Sequence, residues 1–179
     1  MKRYISFQST LLLLLFFLST ASFAQAPKKK PKDADTSECL TFTGKLDNSM
    51  KSAEGTYTIK IILNNKVVEQ QTIGVKKTFK AIMKKNMFYT LKIEKDGFVP
   101  RLFSISTTLP RSIPDGEMFQ FHFETNLISQ ELYYHFDDDD MDFPLALISY
   151  GTGCDCFEYN KKYTEKIMTA IINRLLYGA

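Results

Sequence analysis

The sequence is poor in the residues from which catalytic sites are usually built. It has two His among 179 residues, and it contains no Gly-x-Ser-x-Gly elbow, no His-Glu-x-x-His and no His-x-x-Glu pair. Gly151-Thr152-Gly153 is too short for a phosphate-binding loop, and no Lys follows it. No nucleophile, general base and orienting group can be named together. The sequence therefore predicts that the protein is not an enzyme.

The sequence also lacks an apolar run of the roughly twenty residues needed to cross a membrane. The run from Leu11 to Leu18 follows Lys2 and Arg3 and is succeeded by small residues up to Ala24. This order predicts a signal peptide over residues 1–24, cleaved after Ala24 or, as an alternative, after Ala26. No Cys ends the run, which argues against a lipid anchor. We therefore expect an exported protein, soluble in the periplasm or at the cell surface.

Strong charge of one sign is missing as well. Removing residues 1–24 deletes two basic residues and no acid, so the formal charge falls from +3 to +1. The remaining basic cluster lies in a Pro-flanked stretch, residues 25–37, with Lys28, Lys29, Lys30 and Lys32. We interpret this stretch as a flexible, solvated linker, with contact to anionic lipid or polysaccharide as the alternative. Nothing in this charge pattern supports nucleic-acid binding.

What the chain does contain is a series of short alternating strands. Tyr89, Leu91 and Ile93 fall on one face of a strand, and Asp96-Gly97 supplies a tight turn into the next strand, which Pro100 precedes. Similar strands occur upstream at about ten-residue spacing, and Asn64-Asn65 predicts a turn between two of them. The pattern predicts a mainly β fold, an antiparallel β-sandwich over residues 38–129.

At these residues the chain resembles the carboxypeptidase regulatory-like family, whose domains are transthyretin-like (Ig-like, prealbumin-type) sandwiches. The resemblance covers residues 39–109 and rests on the stretches Gly44 to Asp47, Lys77 to Lys80, Tyr89 to Ile93 and Lys95 to Pro100. Where the family has a Thr-Asp-x-x-Gly turn, this chain has Ile73-Gly74-Val75-Lys76-Lys77. The family's domains are accessory modules, so the resemblance implies a transthyretin-like fold and no catalytic residue.

The remaining residues, 130–179, are predicted to form a C-terminal extension that packs on the sandwich. Just before it, three Phe alternate with polar residues over 118–124, which places His122 on the opposite, solvated face. Within the extension, 143–150 reads as a buried strand. A helix then starts after the N-cap Asn160, with an apolar stripe expected to pack on the sandwich, formed by Tyr163, Ile167, Ile171 and Leu175.

Five carboxylates lie within residues 137–142. Asp138, Asp140 and Asp142 could bind calcium if the backbone curled around the ion, although Phe143 stands where a calcium loop has Gly. The alternative is a solvated acidic turn without a metal. With a metal there, and His122 or His135 assisting, the chain could instead be a metal-dependent hydrolase.

Three cysteines in an exported chain point to a disulfide. The sequence predicts a bridge from Cys39 to Cys154 or Cys156, which would tie the first strand to the C-terminal extension. A direct bridge between Cys154 and Cys156 closes a small ring and is the alternative, as is metal capture by all three thiols.

Export, the sandwich pattern and the absence of a catalytic constellation together favour a non-catalytic binding or structural module of a bacterial cell envelope. We expect its partner to be an envelope protein or a glycan. The stretches 142–148 and 159–164 resemble extensions found beside such domains in Bacteroidetes-type envelope proteins.

Overall fold

The structure, a computed structural model, describes residues 37–46, 54–131 and 143–177. Within these ranges the chain forms nine strands and one helix, in the order β1 (Glu38–Leu46), β2 (Thr56–Leu63), β3 (Lys66–Gly74), β4 (Phe79–Lys84), β5 (Phe88–Glu94), β6 (Arg101–Ser106), β7 (Phe119–Thr125), β8 (Ala146–Gly151), β9 (Cys156–Tyr159) and α1 (Lys161–Tyr177). The predicted signal peptide, the acidic segment 137–142 and all of the linker except Ser37 lie outside the described residues.

The strands form two sheets. One has the order β4-β1-β7 and the other the order β3-β2-β5-β6-β8-β9. The expected mainly β fold with a C-terminal helix is confirmed. The prediction of an antiparallel sandwich is wrong for two strand pairs, because β1 pairs with β7 and β6 pairs with β8 in parallel. Both parallel pairs join strands far apart in sequence, which local turn signals do not reveal.

The tight turns form where the sequence places them. Asn64 and Asn65 have φ angles of 50° and 61° and connect β2 to β3, the conformation that Asn tolerates better than most residues. Gly97, with φ of 76°, lies in the turn between β5 and β6. The turn at Gly97 fixes the register of β5 and β6, and alternate residues of both strands are buried between the sheets.

Aromatic side chains fill the centre of the space between the sheets. The ring of Phe42 lies 5.1 Å from that of Phe123 and 6.2 Å from that of Phe79, and Phe123 also lies 4.8 Å from Phe103 of the larger sheet. Gly44 makes this packing possible, since a Cβ there would lie 2.7 Å from Phe79 Cε1 and overlap the ring of Phe123. The predicted inward face of β7 is therefore confirmed.

The helix begins at the predicted cap. Asn160 Oδ1 accepts a hydrogen bond from the backbone N–H of Tyr163 at 3.0 Å. Tyr163 in turn donates its hydroxyl to the carbonyl of Pro144 at 2.8 Å, and Ile171 is buried against Ile128. The predicted stripe thus faces the sheet as far as Ile171, whereas three other apolar side chains of α1 are exposed, namely Met168, Ile172 and Leu176.

The C-terminal extension contains a strand that the sequence did not reveal. β9 pairs antiparallel with β8, and the two are joined by a turn in which Asp155 has a φ of 49°. This turn brings the Cα atoms of Cys154 and Cys156 within 5.1 Å of each other, and the two residues form a disulfide. The predicted bridge from Cys39 is wrong, because Cys39 is buried in the core where β1 pairs with β4, and it takes no part in the disulfide.

The structure contains no described helix that is both long and apolar enough to cross a membrane.

Candidate functional site

A cleft of about 520 Å³ opens beside β7, bounded by β6, β8, the end of β9 and the first turns of α1. Its volume lies in the range of small-ligand pockets. Apolar side chains form most of its wall, and charged and uncharged polar side chains lie among them. We call it the Arg101 cleft, and its lining residues that matter below are Arg101, Phe103, Phe123, Ala146, Ile148, Thr164 and Met168.

The cleft exists because β9 and α1 cover only part of β7. At the start of β7, the ring of Phe119 packs against Tyr150 and Phe157 at 5.3 and 5.7 Å. Beyond that point β9 ends at Tyr159, and Thr164 and Met168 of α1 line the cleft. The second half of β7 therefore borders an opening, while its first half is closed by aromatic packing.

Arg101 is the most unusual residue of the cleft. It is the first residue of β6 and shares the inward face with Phe103 and Ile105, so only 6% of its surface is exposed. Its Nε is buried, and no hydrogen-bond partner for it is found among the described residues. Burial lowers the pKa of the guanidinium to about 10, and no acid among the described residues offsets this effect. Such a group is costly to bury unless something outside these residues neutralises it.

Thr164 supplies a second polar atom without a partner. Its Oγ1 is buried in the first turn of α1, and none of the residues that the structure describes hydrogen-bonds to it. Thr164 and Arg101 line the same cleft from different elements, the helix and β6. Since buried polar groups in native proteins nearly always have partners, these two atoms mark the cleft as the candidate binding site.

The acid and the imidazole at the rim of the cleft are engaged elsewhere. Glu124 forms an ion pair with Lys45 of the neighbouring strand. His122 Nδ1 lies 3.0 Å from the Thr43 hydroxyl. Both residues project from the outer face of β7, as predicted for His122. Neither interaction involves Arg101, so neither of these two rim residues compensates the charge of the guanidinium.

The predicted metal ligands Asp138, Asp140 and Asp142 lie outside the described residues, and so does His135. Among the residues that are described, no group of three or more His, Cys, Asp or Glu is placed to hold a metal ion.

The sequence carries a sign that Arg101 is unusual. In the alternation of β6, residue 101 has the same phase as Phe103 and Ile105, so a charged side chain falls on an apolar face. Thr164 gives no comparable sign, because it lies beside the predicted apolar stripe of an ordinary amphipathic helix.

No family model and no curated protein matches the chain. A solved crystal structure of a protein named S.CueP is similar over 50% of this chain and 62% of its own, with 13% sequence identity and a TM-score of 0.33. The chain thus spans somewhat less than two thirds of that protein. A similarity this low supports no argument about fold or function.

Proposed function

We propose that this chain is a non-catalytic, exported binding module of a cell envelope, which holds a protein or glycan partner in the Arg101 cleft. The observation that carries the proposal is the pair of buried, orphaned polar atoms, Arg101 Nε and Thr164 Oγ1, in one cleft. A bound anionic group would neutralise the guanidinium, and the surrounding apolar wall would bury the partner's apolar surface.

The chemistry of these groups favours binding over catalysis. A guanidinium whose pKa is about 10 stays charged near neutral pH, so it holds an anion well and exchanges protons poorly. The threonine hydroxyl beside it can donate or accept a hydrogen bond. Charge, hydrogen bonding and apolar surface are the elements of a recognition site.

Three further points belong to the proposal. The Lys-Arg start, the apolar run and Ala24 support export with cleavage of residues 1–24. The disulfide between Cys154 and Cys156 fits an oxidising compartment. The hairpin of β5 and β6 around Gly97, with Pro100 just before β6, supports assignment of the sandwich to the transthyretin-like type of the carboxypeptidase regulatory-like family.

The experiment is an affinity capture with the mature chain, residues 25–179, on detergent-solubilised envelope of the source cells. Wild type is compared with Arg101→Met and with Arg111→Met, which changes an arginine that is exposed. We expect a stoichiometric partner that wild type and Arg111→Met retain and that Arg101→Met loses, identified by mass spectrometry of proteins and glycans. Retention by all three proteins, or no stoichiometric partner in any of them, would contradict the proposal.

A further inference from the structure

We infer that the occupant of the Arg101 cleft is an extended polypeptide segment with an acidic side chain, which adds as a strand to the outer edge of β7 and places its carboxylate on Arg101. This inference rests on the proposed function and names the chemical class of its partner.

β7 lies at the edge of its sheet. In the order β4-β1-β7, this strand pairs with β1 on one side, and no other described strand pairs with it on the side of the cleft. Every second residue of an edge strand presents its backbone N–H and C=O outward, which is the template that an added strand uses. Because aromatic packing closes the first half of β7, the template is open from Phe121 to Thr125.

The surface of the cleft beside this edge of β7 is mainly apolar. Side chains of an added strand alternate between the interior and the solvent. Inward-facing ones would meet the apolar surface of Phe103, Ala146 and Ile148, which line the cleft. A polypeptide strand with apolar residues at alternate positions matches this surface, whereas a glycan presents hydroxyl groups to it.

The position of Arg101 along β7 determines where the acid of the added strand must lie. Phe103 packs against Phe123 at 4.8 Å, and Arg101 lies two residues before Phe103 on the same face of β6. Phe119 at the start of β7 packs against Tyr150, which lies beyond the pair Ile105 and Ile148, so β6 and β7 run in opposite directions and Arg101 lies toward the Thr125 end of β7. A carboxylate at that end of the added strand can receive a charge-assisted hydrogen bond from the Arg101 guanidinium.

The test is a selection from a random dodecapeptide library displayed on phage, with immobilised mature chain as the target. Parallel selections use wild type, Arg101→Met and the exposed control Arg111→Met. We expect wild type and the control to enrich peptides in which an Asp or Glu stands two residues from an apolar residue, and Arg101→Met to lose the enrichment of the acid. No enriched peptide, or the same acidic peptides with Arg101→Met, would overturn the inference.

A synthetic form of the enriched peptide then separates charge recognition from strand addition. Changing its acid to the amide should weaken binding to wild type at least about tenfold and leave binding to Arg101→Met unchanged. N-methylation of alternate backbone amides should abolish binding in one phase and spare it in the other. Equal effects in both phases would overturn strand addition.

An array of acidic and neutral glycans distinguishes failure of this inference from failure of the proposed function. Glycan binding that depends on Arg101, without any peptide binding, would overturn the polypeptide inference and leave the binding module standing. Absence of binding in both formats, together with an empty capture from envelope, would overturn both.

Discussion

Replacing Arg101 by Met should make the protein more stable. The guanidinium is almost fully buried, its Nε has no partner among the described residues, and its neighbours Phe103 and Leu145 are apolar. Met has a similar length and no charge, so it can contact the same neighbours without the cost of desolvating a cation. A substitution that removes an uncompensated buried charge is one of the few expected to stabilise a fold.

The magnitude follows from the pKa of Arg101. Burial lowers that pKa from the ordinary value of arginine to about 10, and each tenfold change in proton affinity corresponds to about 1.4 kcal/mol, so the buried charge costs roughly 3 kcal/mol. Imperfect packing of Met will take part of this gain, which leaves about 1–3 kcal/mol. In a domain of this size that corresponds to a rise in Tm of roughly 3–10 °C.

The pH dependence has a defined sign. Below a pH of about 10 the folded and unfolded states both hold the proton of Arg101, so the cost of its burial is constant. Between a pH of about 10 and the ordinary pKa of arginine, the unfolded state still holds the proton while the folded state releases it. Stability contributed by this group therefore rises with pH in that window, and the advantage of Arg101→Met shrinks there.

The assay is denaturant unfolding of the mature chain in buffer near neutral pH, with the midpoint and slope measured for each variant. The control Arg111→Met changes an exposed arginine and should stay within about 0.5 kcal/mol of wild type. An Arg101→Met protein that gains less than about 0.5 kcal/mol, or that loses stability, would refute the reasoning, because it would mean that the protein itself compensates the charge.

Three other predictions test the core packing, the helix cap and the disulfide. Gly44→Ala should cost about 1–3 kcal/mol, because the new Cβ would overlap two phenylalanine rings of the core, whereas Gly74→Ala has open space and should change stability little; equal effects in denaturant unfolding would be inconsistent with the close packing. Asn160→Ala should remove the helix cap, at a cost of about 1 kcal/mol and with loss of helical circular dichroism; unchanged helicity and stability would argue against the cap. Reduction of the disulfide between Cys154 and Cys156 should cost only about 1.5 kcal/mol because its loop is so short, and a non-reducing peptide map that links either residue to a different cysteine would disprove the pairing.

The parts of the fold that the sequence predicted are those set by neighbouring residues. The turn at Asn64-Asn65, the turn at Asp96-Gly97 and the cap at Asn160 each depend on a conformation or hydrogen bond formed within a few residues. Alternation along β5 and β7 likewise requires only that one face be buried. These local preferences agree with the final structure, so each could be inferred before it.

The parts that were missed depend on distant segments. The pairing of β6 with β8 joins residues about 43 positions apart, since Phe103 lies opposite Ala146, and no turn signal announces it. The disulfide was assigned wrongly for a related reason. Spacing alone favoured the long bridge from Cys39, but the hairpin that brings Cys154 and Cys156 together exists only because β9 pairs back on β8.

Arg101 combines a feature set by neighbouring residues with one set by distant segments, and this combination is why it bears on function. Its inward phase on β6 is a local property, visible from Phe103 and Ile105, while its lack of a partner depends on what β7, β8 and α1 bring to it. A sandwich that served only as a scaffold would be more stable with an apolar residue at this position. The structure instead leaves a charge beside the open half of an edge strand, where an incoming carboxylate would turn its cost into binding free energy.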